Sequence, residues 1–238
     1  MISSPSKISV VVFDVDGTLL SLRKGLGELY AEALKGCGYD VDSSTLEGAI
    51  RAVWRSFEAE YLNEAEAYRS TPAREVLMWF EFVRRVLQRV RPEIASDSKA
   101  LEAVYSFFAR GESRILATEA QSVCQQLRDR GIAVYAATNN DLRTTRVLGD
   151  VGLLPLLSAV FTAGELGWKK PSLHFFERVA QRCGAPPEAI LHVGNSYELD
   201  VAPPRALGIQ AVLYDPGIQH RGLDGRIALL AELLTLVP

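Results

Sequence analysis

The chain has 238 residues, of which 48% are hydrophobic and 23% are charged, and its net charge at pH 7 is −3. This composition is ordinary for a soluble globular protein, and the length allows one large domain or two smaller ones. The slightly acidic balance gives no electrostatic reason to expect nucleic acid or an anionic membrane as a partner.

Short apolar runs along the chain predict five buried strands. They span residues 8–14, 132–138, 159–162, 190–194 and 211–214. Helical segments separate them. One is expected to start at a capping box of Thr118 and Gln121 and to stop at Gly131, and another to run from near Pro171 to Gly184. Strands that alternate with helices predict an α/β fold, a doubly wound and mostly parallel sheet covered on both faces.

The interval between the first and second strands interrupts this alternation, because its pattern is helical throughout. It is too long for a simple crossover between two parallel strands. Residues 22–111 are therefore predicted to form an inserted all-α domain with its own small core, while residues 1–21 and 112–238 form the α/β core.

Two helix starts are predicted inside this insertion. Ser44 and Glu47 form a second capping box, and Thr71-Pro72 opens the next helix. Apolar residues follow both starts at helical spacing. They are Leu46, Ile50, Val53, Trp54, Phe57 and Tyr61, then Val76, Phe80, Val83, Leu87 and Val90. The aromatic residues Trp54, Phe57, Trp79 and Phe80 are interpreted as core rather than as a ligand site.

The chain is expected in the cytoplasm. Residues 1–7 are polar and lack the apolar centre of a signal peptide. No stretch reaches the ~18 apolar residues of a membrane span, and the apolar tail at 227–237 is predicted as a core helix. The cysteines Cys37, Cys124 and Cys183 lie far apart, which fits isolated thiols in a reducing compartment.

The most informative stretch is a β-branched run that ends in Asp14, Asp16, Gly17 and Thr18. Positions two apart on a strand face the same side, so the two carboxylates are expected to crowd together at the strand end. Such crowding is costly unless a cation or a proton relieves the repulsion. A metal-assisted nucleophile and acid pair needs this arrangement.

Four motifs in this order resemble those of the haloacid dehalogenase-like hydrolase superfamily. They are Asp14-Val15-Asp16-Gly17-Thr18, Thr138-Asn139, Lys170-Pro171, and Gly194-Asn195-Ser196-Tyr197-Glu198-Leu199-Asp200. The insertion between the first two motifs matches the subfamily with a helical cap in that place. The resemblance implies a Mg²⁺-dependent phosphatase that hydrolyses a small phosphorylated metabolite through an aspartyl-phosphate intermediate.

The chemistry of these residue types agrees with that resemblance, because phosphoryl transfer needs a nucleophile, a cation and donors for the phosphoryl oxygens. Asp14 is the expected nucleophile, and Asp16 the acid that protonates the leaving alkoxide and then the base that activates water. Gly17 and Thr18 are expected to shape and brace the turn.

Thr138, Asn139 and Lys170 are the expected phosphate-binding residues, with Lys170 also offsetting the repulsion between carboxylates. Lys169 competes for this role, and Lys170 is preferred because the lysine of the family directly precedes a proline. His192, inside a predicted strand, is interpreted as a core histidine with satisfied hydrogen bonds.

The expected Mg²⁺ site departs from the family pattern at one position. The ligands implied by the resemblance are Asp14, a backbone carbonyl near Asp16, and Asn195, where the family usually has an aspartate. If the lost charge costs ~2 to 3 kcal/mol, Mg²⁺ binds roughly 30- to 150-fold more weakly. Asp200 is expected to support the metal shell, and Glu198 is a weaker candidate ligand.

Several alternatives remain open at this point. A phosphomutase would share the aspartyl-phosphate chemistry, and Asn195 would also fit a non-catalytic binding or regulatory protein on the same scaffold. A dehalogenase is disfavoured because it needs no acid like Asp16. Arg23 and Lys24 would contact a second anionic group of the substrate or lie as surface charges at the hinge. The sequence determines neither the substrate nor the oligomeric state.

Overall fold

The computed structural model of the protein describes residues 8–62, 68–220 and 222–237, with only the backbone of residues 58, 59, 61 and 62. The polar residues 1–7 and the side chain of Tyr61 lie outside this description. The strands are β1 (Val10–Phe13), β2 (Leu20–Leu22), β3 (Arg114–Leu116), β4 (Ala133–Thr138), β5 (Ala159–Thr162), β6 (Ile190–Gly194), β7 (Gln210–Tyr214) and β8 (Arg226–Ile227). The α-helices are α1 (Leu26–Lys35), α2 (Ser43–Leu62), α3 (Pro72–Val90), α4 (Pro92–Ala95), α5 (Ser98–Phe107), α6 (Ala120–Asp129), α7 (Arg143–Asp150), α8 (Ala163–Leu166), α9 (Leu173–Cys183), α10 (Ala202–Ala206) and α11 (Leu233–Leu236).

A six-stranded parallel sheet forms the centre of the α/β part, in the order β5-β4-β1-β6-β7-β8. β1 lies between β4 and β6, with Phe13 paired to Ala136 on one side and Val193 on the other. Its side chains alternate between two hydrophobic clusters, one on each face of the sheet. The predicted doubly wound, mostly parallel fold is confirmed.

The five helices α1 to α5 lie between β2 and β3 and share a separate hydrophobic cluster. β2 lies where the chain enters this segment and β3 where it leaves, and the two strands pair antiparallel. The sequence did not predict this pair, because three residues give too short a pattern. Among the helices of the described ranges, none combines the length and apolarity that a membrane span requires.

The predicted helix starts had mixed outcomes. Thr71 caps α3 by accepting a hydrogen bond from the backbone N–H of Arg74, as predicted. The capping box at Ser44 and Glu47 is wrong, because the carboxylate of Asp42 accepts the hydrogen bond from the Thr45 N–H instead. The side chain of Glu47 accepts a hydrogen bond from another helix, through the backbone N–H of Gly27 at 2.8 Å.

The box predicted at Thr118 and Gln121 is also wrong, since α6 begins at Ala120 without a side-chain cap. The expected stops are correct: Gly131 and Gly184 follow α6 and α9 with positive φ. The predicted tail helix at 227–237 is wrong in part. The chain first pairs as β8 beside β7, and only Leu233–Leu236 is α-helical.

Gly27 provides a stability test for the helical segment. An added Cβ would lie 2.2 Å from the Ser43 carbonyl oxygen, where backbone meets backbone between α1 and α2. Gly27→Ala should therefore lower the free energy of unfolding by about 1 to 3 kcal/mol in urea denaturation.

Gly48→Ala is the matched control, because nothing lies within 4 Å of its added Cβ on α2. This change should raise the free energy of unfolding by up to about 1 kcal/mol through helix propensity. Equal effects of the two substitutions would contradict close packing at Gly27.

Candidate active site

The residues singled out in the sequence meet at one edge of the sheet. Asp14 directly follows β1, Thr138 ends β4, and Asn195 follows β6. These three strands are adjacent and parallel, so their carboxyl ends open onto the same crevice. Lys170 reaches it from the loop between α8 and α9.

A buried lysine bridges two buried carboxylates at the centre of this crevice. Lys170 Nζ lies 2.7 Å from Asp14 Oδ1 and 2.6 Å from Asp200 Oδ1. Burial lowers the pKa of Lys170, but the two carboxylates more than offset it, so the pKa lies above its ordinary value. The lysine therefore carries its charge and holds both aspartates in place.

The two carboxylates respond differently to the same lysine. Burial raises the pKa of Asp14 to about 7, because Lys170 compensates only in part and Asp200 adds a repulsive charge. For Asp200, burial is outweighed by Lys170 and His192, so its pKa lies below its ordinary value. Asp14 is thus the carboxylate with an incompletely neutralised charge, which an additional cation beside it would stabilise.

The neighbouring lysine has a different partner. Lys169 Nζ lies 3.1 Å from Glu75 Oε2 on α3 and 3.5 Å from the sulfur of Met78.

The side chain of Asn139 holds the backbone of Lys170 in place. Its Oδ1 accepts from the Lys170 backbone N–H at 2.7 Å, and its Nδ2 donates to the Lys170 carbonyl oxygen at 3.1 Å. The side-chain amide of Asn139 thus orients the lysine.

Asp16 faces a different environment from Asp14. Its side chain is 38% exposed, with Oδ1 3.2 Å from Arg114 Nε and Oδ2 accepting a hydrogen bond from the Asn140 amide. Gly17 turns the backbone away with a φ of +85°, which favours glycine. Thr18 Oγ1 donates to Asp14 Oδ2 at 3.1 Å, so this hydroxyl braces the buried carboxylate.

Asp200 lies on a π-helical turn, Tyr197–Val201, packed against the end of β6. An added Cβ at Gly194 would lie 2.3 Å from Asp200 Cγ, so only glycine leaves room for this carboxyl group. His192 Nε2 lies 3.2 Å from Asp200 Oδ1, while Nδ1 has no hydrogen-bond partner within the described part of the chain. His192 is therefore a core histidine, as expected, but only one of its two ring nitrogens has the expected hydrogen-bond partner.

Asn195 lies against the turn of the first motif. An added Cβ at Gly17 would be 2.3 Å from Asn195 Nδ2 and 3.1 Å from Oδ1. The ligands expected from the sequence are the Asp14 carboxylate, the Asp16 backbone carbonyl and the Asn195 amide, and oxygen donors of these types suit Mg²⁺. No cluster of three His, Cys, Asp or Glu side chains suited to a metal occurs in the described ranges, so such a site would depend on neutral oxygens.

Three of the secondary candidates, Glu198, Arg23 and Lys24, lie apart from this centre. Glu198 is exposed and accepts a hydrogen bond from Ser196 Oγ at 3.4 Å. Arg23 and Lys24 both pair with Glu32 at the surface of the helical segment. Thr138 is buried, and its Oγ1 accepts from the Asn140 backbone N–H at 3.1 Å.

A cavity of about 1050 Å³ opens beside Asp16, between the strand ends and the helical segment. Its walls include Trp54, which is 40% exposed, so the interpretation of Trp54 as a core residue is wrong. Trp79 also lines the cavity but packs against the hydrophobic cluster of the helical segment, so its interpretation as a core residue is correct in part. Phe57 is in the core as expected. The sequence missed Arg114, which lies on the unpredicted strand β3. Asn140 had an available signal, its place directly after the strand that ends at Thr138.

Comparisons with known proteins agree with this geometry. The model of the haloacid dehalogenase-like hydrolase family matches residues 8–208. Human haloacid dehalogenase-like hydrolase domain-containing protein 3 is 28% identical over 211 residues, covering 87% of this chain and 82% of its own. A ribulose-1,5-bisphosphate 5-phosphatase from Halopiger xanaduensis is 26% identical over 247 residues, covering 96% of this chain and 99% of its own.

Solved structures share the fold at lower identity. The HAD-hydrolase YfnB from Bacillus subtilis, solved with bound magnesium, has a TM-score of 0.71 at 18% identity, covering 98% of this chain and 99% of its own. A 2-haloacid dehalogenase from Pseudomonas syringae has a TM-score of 0.69 at 19% identity, covering 96% and 97%. At these identities the likeness establishes the fold alone.

The brace on Lys170 can be tested by stability. Asn139→Ala removes two hydrogen bonds to the Lys170 backbone and should lower the free energy of unfolding by about 1 to 3 kcal/mol. Gln125→Ala is the control, since its amide bonds only to the exposed Asp129, and it should change stability by less than about 0.5 kcal/mol. Equal losses in thermal unfolding would show that Asn139 has no special role.

Proposed function

The chain belongs to the haloacid dehalogenase-like hydrolases, and on that premise we propose that it is a Mg²⁺-dependent phosphatase. Its substrate is a small phosphorylated metabolite, hydrolysed through an aspartyl-phosphate on Asp14. The observation that carries the proposal is the contrast between two aspartates: Asp14 is buried on Lys170, while Asp16 lines the cavity. A two-step phosphate hydrolysis requires a nucleophile held in place and a separate acid that reaches the leaving oxygen, and this pair of aspartates supports both roles.

In the first step, an Asp14 carboxylate oxygen attacks phosphorus while the bond to the leaving oxygen breaks. Asp16 gives its proton to that oxygen. Lys170 and Thr18 hold Asp14 in place, and Lys170 and the Thr138 hydroxyl are the donors for the phosphoryl oxygens. Asp14, the backbone carbonyl of Asp16 and Asn195 would hold a Mg²⁺ ion, which would supply charge neutralisation at the phosphoryl group.

In the second step, Asp16 takes a proton from water as the water oxygen attacks phosphorus. The bond from Asp14 to phosphorus breaks, which releases phosphate and restores the carboxylate. Asp200 keeps Lys170 charged and oriented throughout, through its 2.6 Å contact. Every proton transfer in this cycle passes through Asp16.

The division into residues 1–21 with 112–238, and 22–111, belongs to this proposal. The first part carries the reacting groups, and the second acts as a cap that covers the cavity beside Asp16. The three cysteines are free thiols, which supports a reducing, cytoplasmic location. The partner is the small substrate, with neither nucleic acid nor a membrane involved.

A dehalogenase is the second function to weigh, because enzymes of that activity share the fold. A halide ion leaves without a proton, so the first step of such a reaction would not use Asp16 as an acid. The placement of Asp16 on the cavity wall, beside Arg114 and Asn140, favours an oxygen leaving group.

Removing the nucleophile tests the proposal directly. Asp14→Asn should abolish hydrolysis of a generic aryl phosphate, because the amide cannot form the phosphoryl ester. Mass spectrometry of trapped wild-type protein with Mg²⁺ should locate a phosphoryl group on Asp14. The exposed Asp129→Asn is the matched control and should retain full activity. Absence of turnover at every Mg²⁺ concentration, even with Asn195→Asp, would instead favour a non-catalytic binding protein.

The amide at position 195 gives a quantitative prediction for the metal. Restoring a carboxylate with Asn195→Asp should lower the Mg²⁺ concentration for half-maximal activity by roughly 30- to 150-fold. Glu198→Gln should leave that concentration unchanged, because Glu198 is exposed and bonded to Ser196. Saturation of the wild-type protein at low micromolar Mg²⁺ would contradict a weakened site.

A further inference from the structure

The cavity lies on the side of the site where a leaving group would go. Asp16 and Gly17 contribute to its wall, whereas Asp14, Lys170 and Thr138 do not. Asp16 is the residue that would protonate the leaving oxygen under the proposed function. The alcohol released from the substrate would therefore extend from Asp16 into this cavity, and the cavity wall should be complementary to that alcohol.

Part of the wall of this cavity, contributed by the helical segment, is aromatic. Trp54 on α2 and Trp79 on α3 lie with ring planes 19° apart and centroids 6.3 Å apart. Phe82 contacts both rings edge-on, at 5.5 Å from Trp54 and 6.0 Å from Trp79. Trp54 is 40% exposed although it adjoins a hydrophobic cluster. An exposed indole beside a large cavity indicates a surface that is covered when a ligand binds.

Three of the four arginines on the cavity wall pair with a carboxylate that also lines the cavity. Arg51 Nε lies 3.4 Å from Glu47 Oε1, while the fourth arginine, Arg55, donates from Nε to the Arg51 carbonyl oxygen at 3.3 Å. Arg114 Nε lies 3.2 Å from Asp16, and Arg143 Nε lies 2.9 Å from Asp141. Arg143 also lies over the ring of Tyr105, with its guanidinium carbon 3.9 Å from the ring centroid. Charges that are neutralised by carboxylates on the same wall attract a second phosphate only weakly. The three paired arginines therefore give little preference for a second phosphate, and the aromatic part of the wall favours an apolar body on the leaving alcohol.

The volume of the cavity further limits the kind of ligand that would fill it. A volume of about 1050 Å³ is at the upper end for small-molecule sites and much exceeds what a two- or three-carbon alcohol needs. A flat ring system lying against Trp54 would bury apolar area on both partners and gain the favourable geometry of ring–ring contact. A polyhydroxylated chain would instead leave hydroxyl groups facing indole carbon.

We propose that the substrate is a phosphate monoester of an apolar alcohol with a planar, aromatic body, which lies on the Trp54–Trp79 wall. This inference rests on the proposed function, which sets the orientation of the substrate in the site. The phosphate lies at Asp14 and Lys170, the ester oxygen at Asp16, and the ring system in the cavity.

The test uses two non-hydrolysable phosphonates, 2-naphthylmethylphosphonate and the polar 2,3-dihydroxypropylphosphonate, titrated into the full-length protein by calorimetry with Mg²⁺. The naphthyl compound should bind at least about tenfold more tightly to the wild-type protein. Equal affinities, or tighter binding of the polar compound, would overturn the proposal. This comparison needs no variant.

The Trp54→Ala variant tests whether the ring system of the ligand contacts Trp54. It should weaken binding of the naphthyl compound by about tenfold and leave binding of the polar compound unchanged. Leu77→Ala is the matched control, since Leu77 is a 70% exposed apolar residue on α3 outside the cavity wall. Loss of affinity for both phosphonates, or for neither, would contradict a role of Trp54 in holding the ring system.

Hydrolysis of acetyl phosphate separates this inference from the proposed function, because its leaving group is too small to reach the aromatic wall. Turnover of acetyl phosphate together with equal phosphonate affinities would overturn the substrate class alone. Tight naphthyl binding without turnover of any phosphate compound would overturn the phosphatase and support the aromatic ligand.

Discussion

The site depends on one buried lysine that is shared between two carboxylates. Lys170 approaches Asp14 and Asp200 within 2.7 Å, and all three groups are buried. Removing three charges from water is costly, and their mutual attraction offsets that cost only if the geometry is held. The surrounding structure holds it. The Asn139 amide fixes the Lys170 backbone, and the bare Cα of Gly194 makes room for Asp200.

The same constraint explains why two aspartates in one short motif behave differently. Asp14 points into the buried network, where its pKa is raised by burial, and it is braced by Thr18. Asp16 lies past the strand end, paired with Arg114 and open to the cavity. The extended strand ends at Phe13, and the chain turns at Val15, whose carbonyl oxygen accepts hydrogen bonds from the backbone N–H groups of Thr18, Leu19 and Leu20. One turn thus separates a buried carboxylate held by Lys170 and Thr18 from a carboxylate that lines the cavity.

Two consecutive lysines connect the site to the helical segment. Lys170 turns towards the sheet and Lys169 towards Glu75 on α3, 3.1 Å away. Because both lysines are buried, the loop that carries them is fixed by ionic contacts on both sides. The helical segment, which forms the aromatic wall, therefore contacts Lys169. The next residue in the chain, Lys170, orients Asp14. The position of the helical segment and the geometry of the site are therefore linked through the peptide unit that joins Lys169 and Lys170.

The sequence by itself determined the parallel α/β core, the motif order and the location of the reactive residues at strand ends. These features follow from apolar periodicity and from polar residues directly after each strand, which are local patterns. The Lys170-Pro171 motif had already favoured Lys170 over Lys169 beside Asp14. The tertiary structure alone decided other contacts: Glu75 as the partner of Lys169, Asp42 rather than Ser44 as a cap, and a strand in the tail. It also turned Trp54 from an expected core residue into a cavity wall. Each of these outcomes depends on a neighbour distant in the chain, and a local pattern carries no information about which distant group will supply the opposite charge or cover the apolar face.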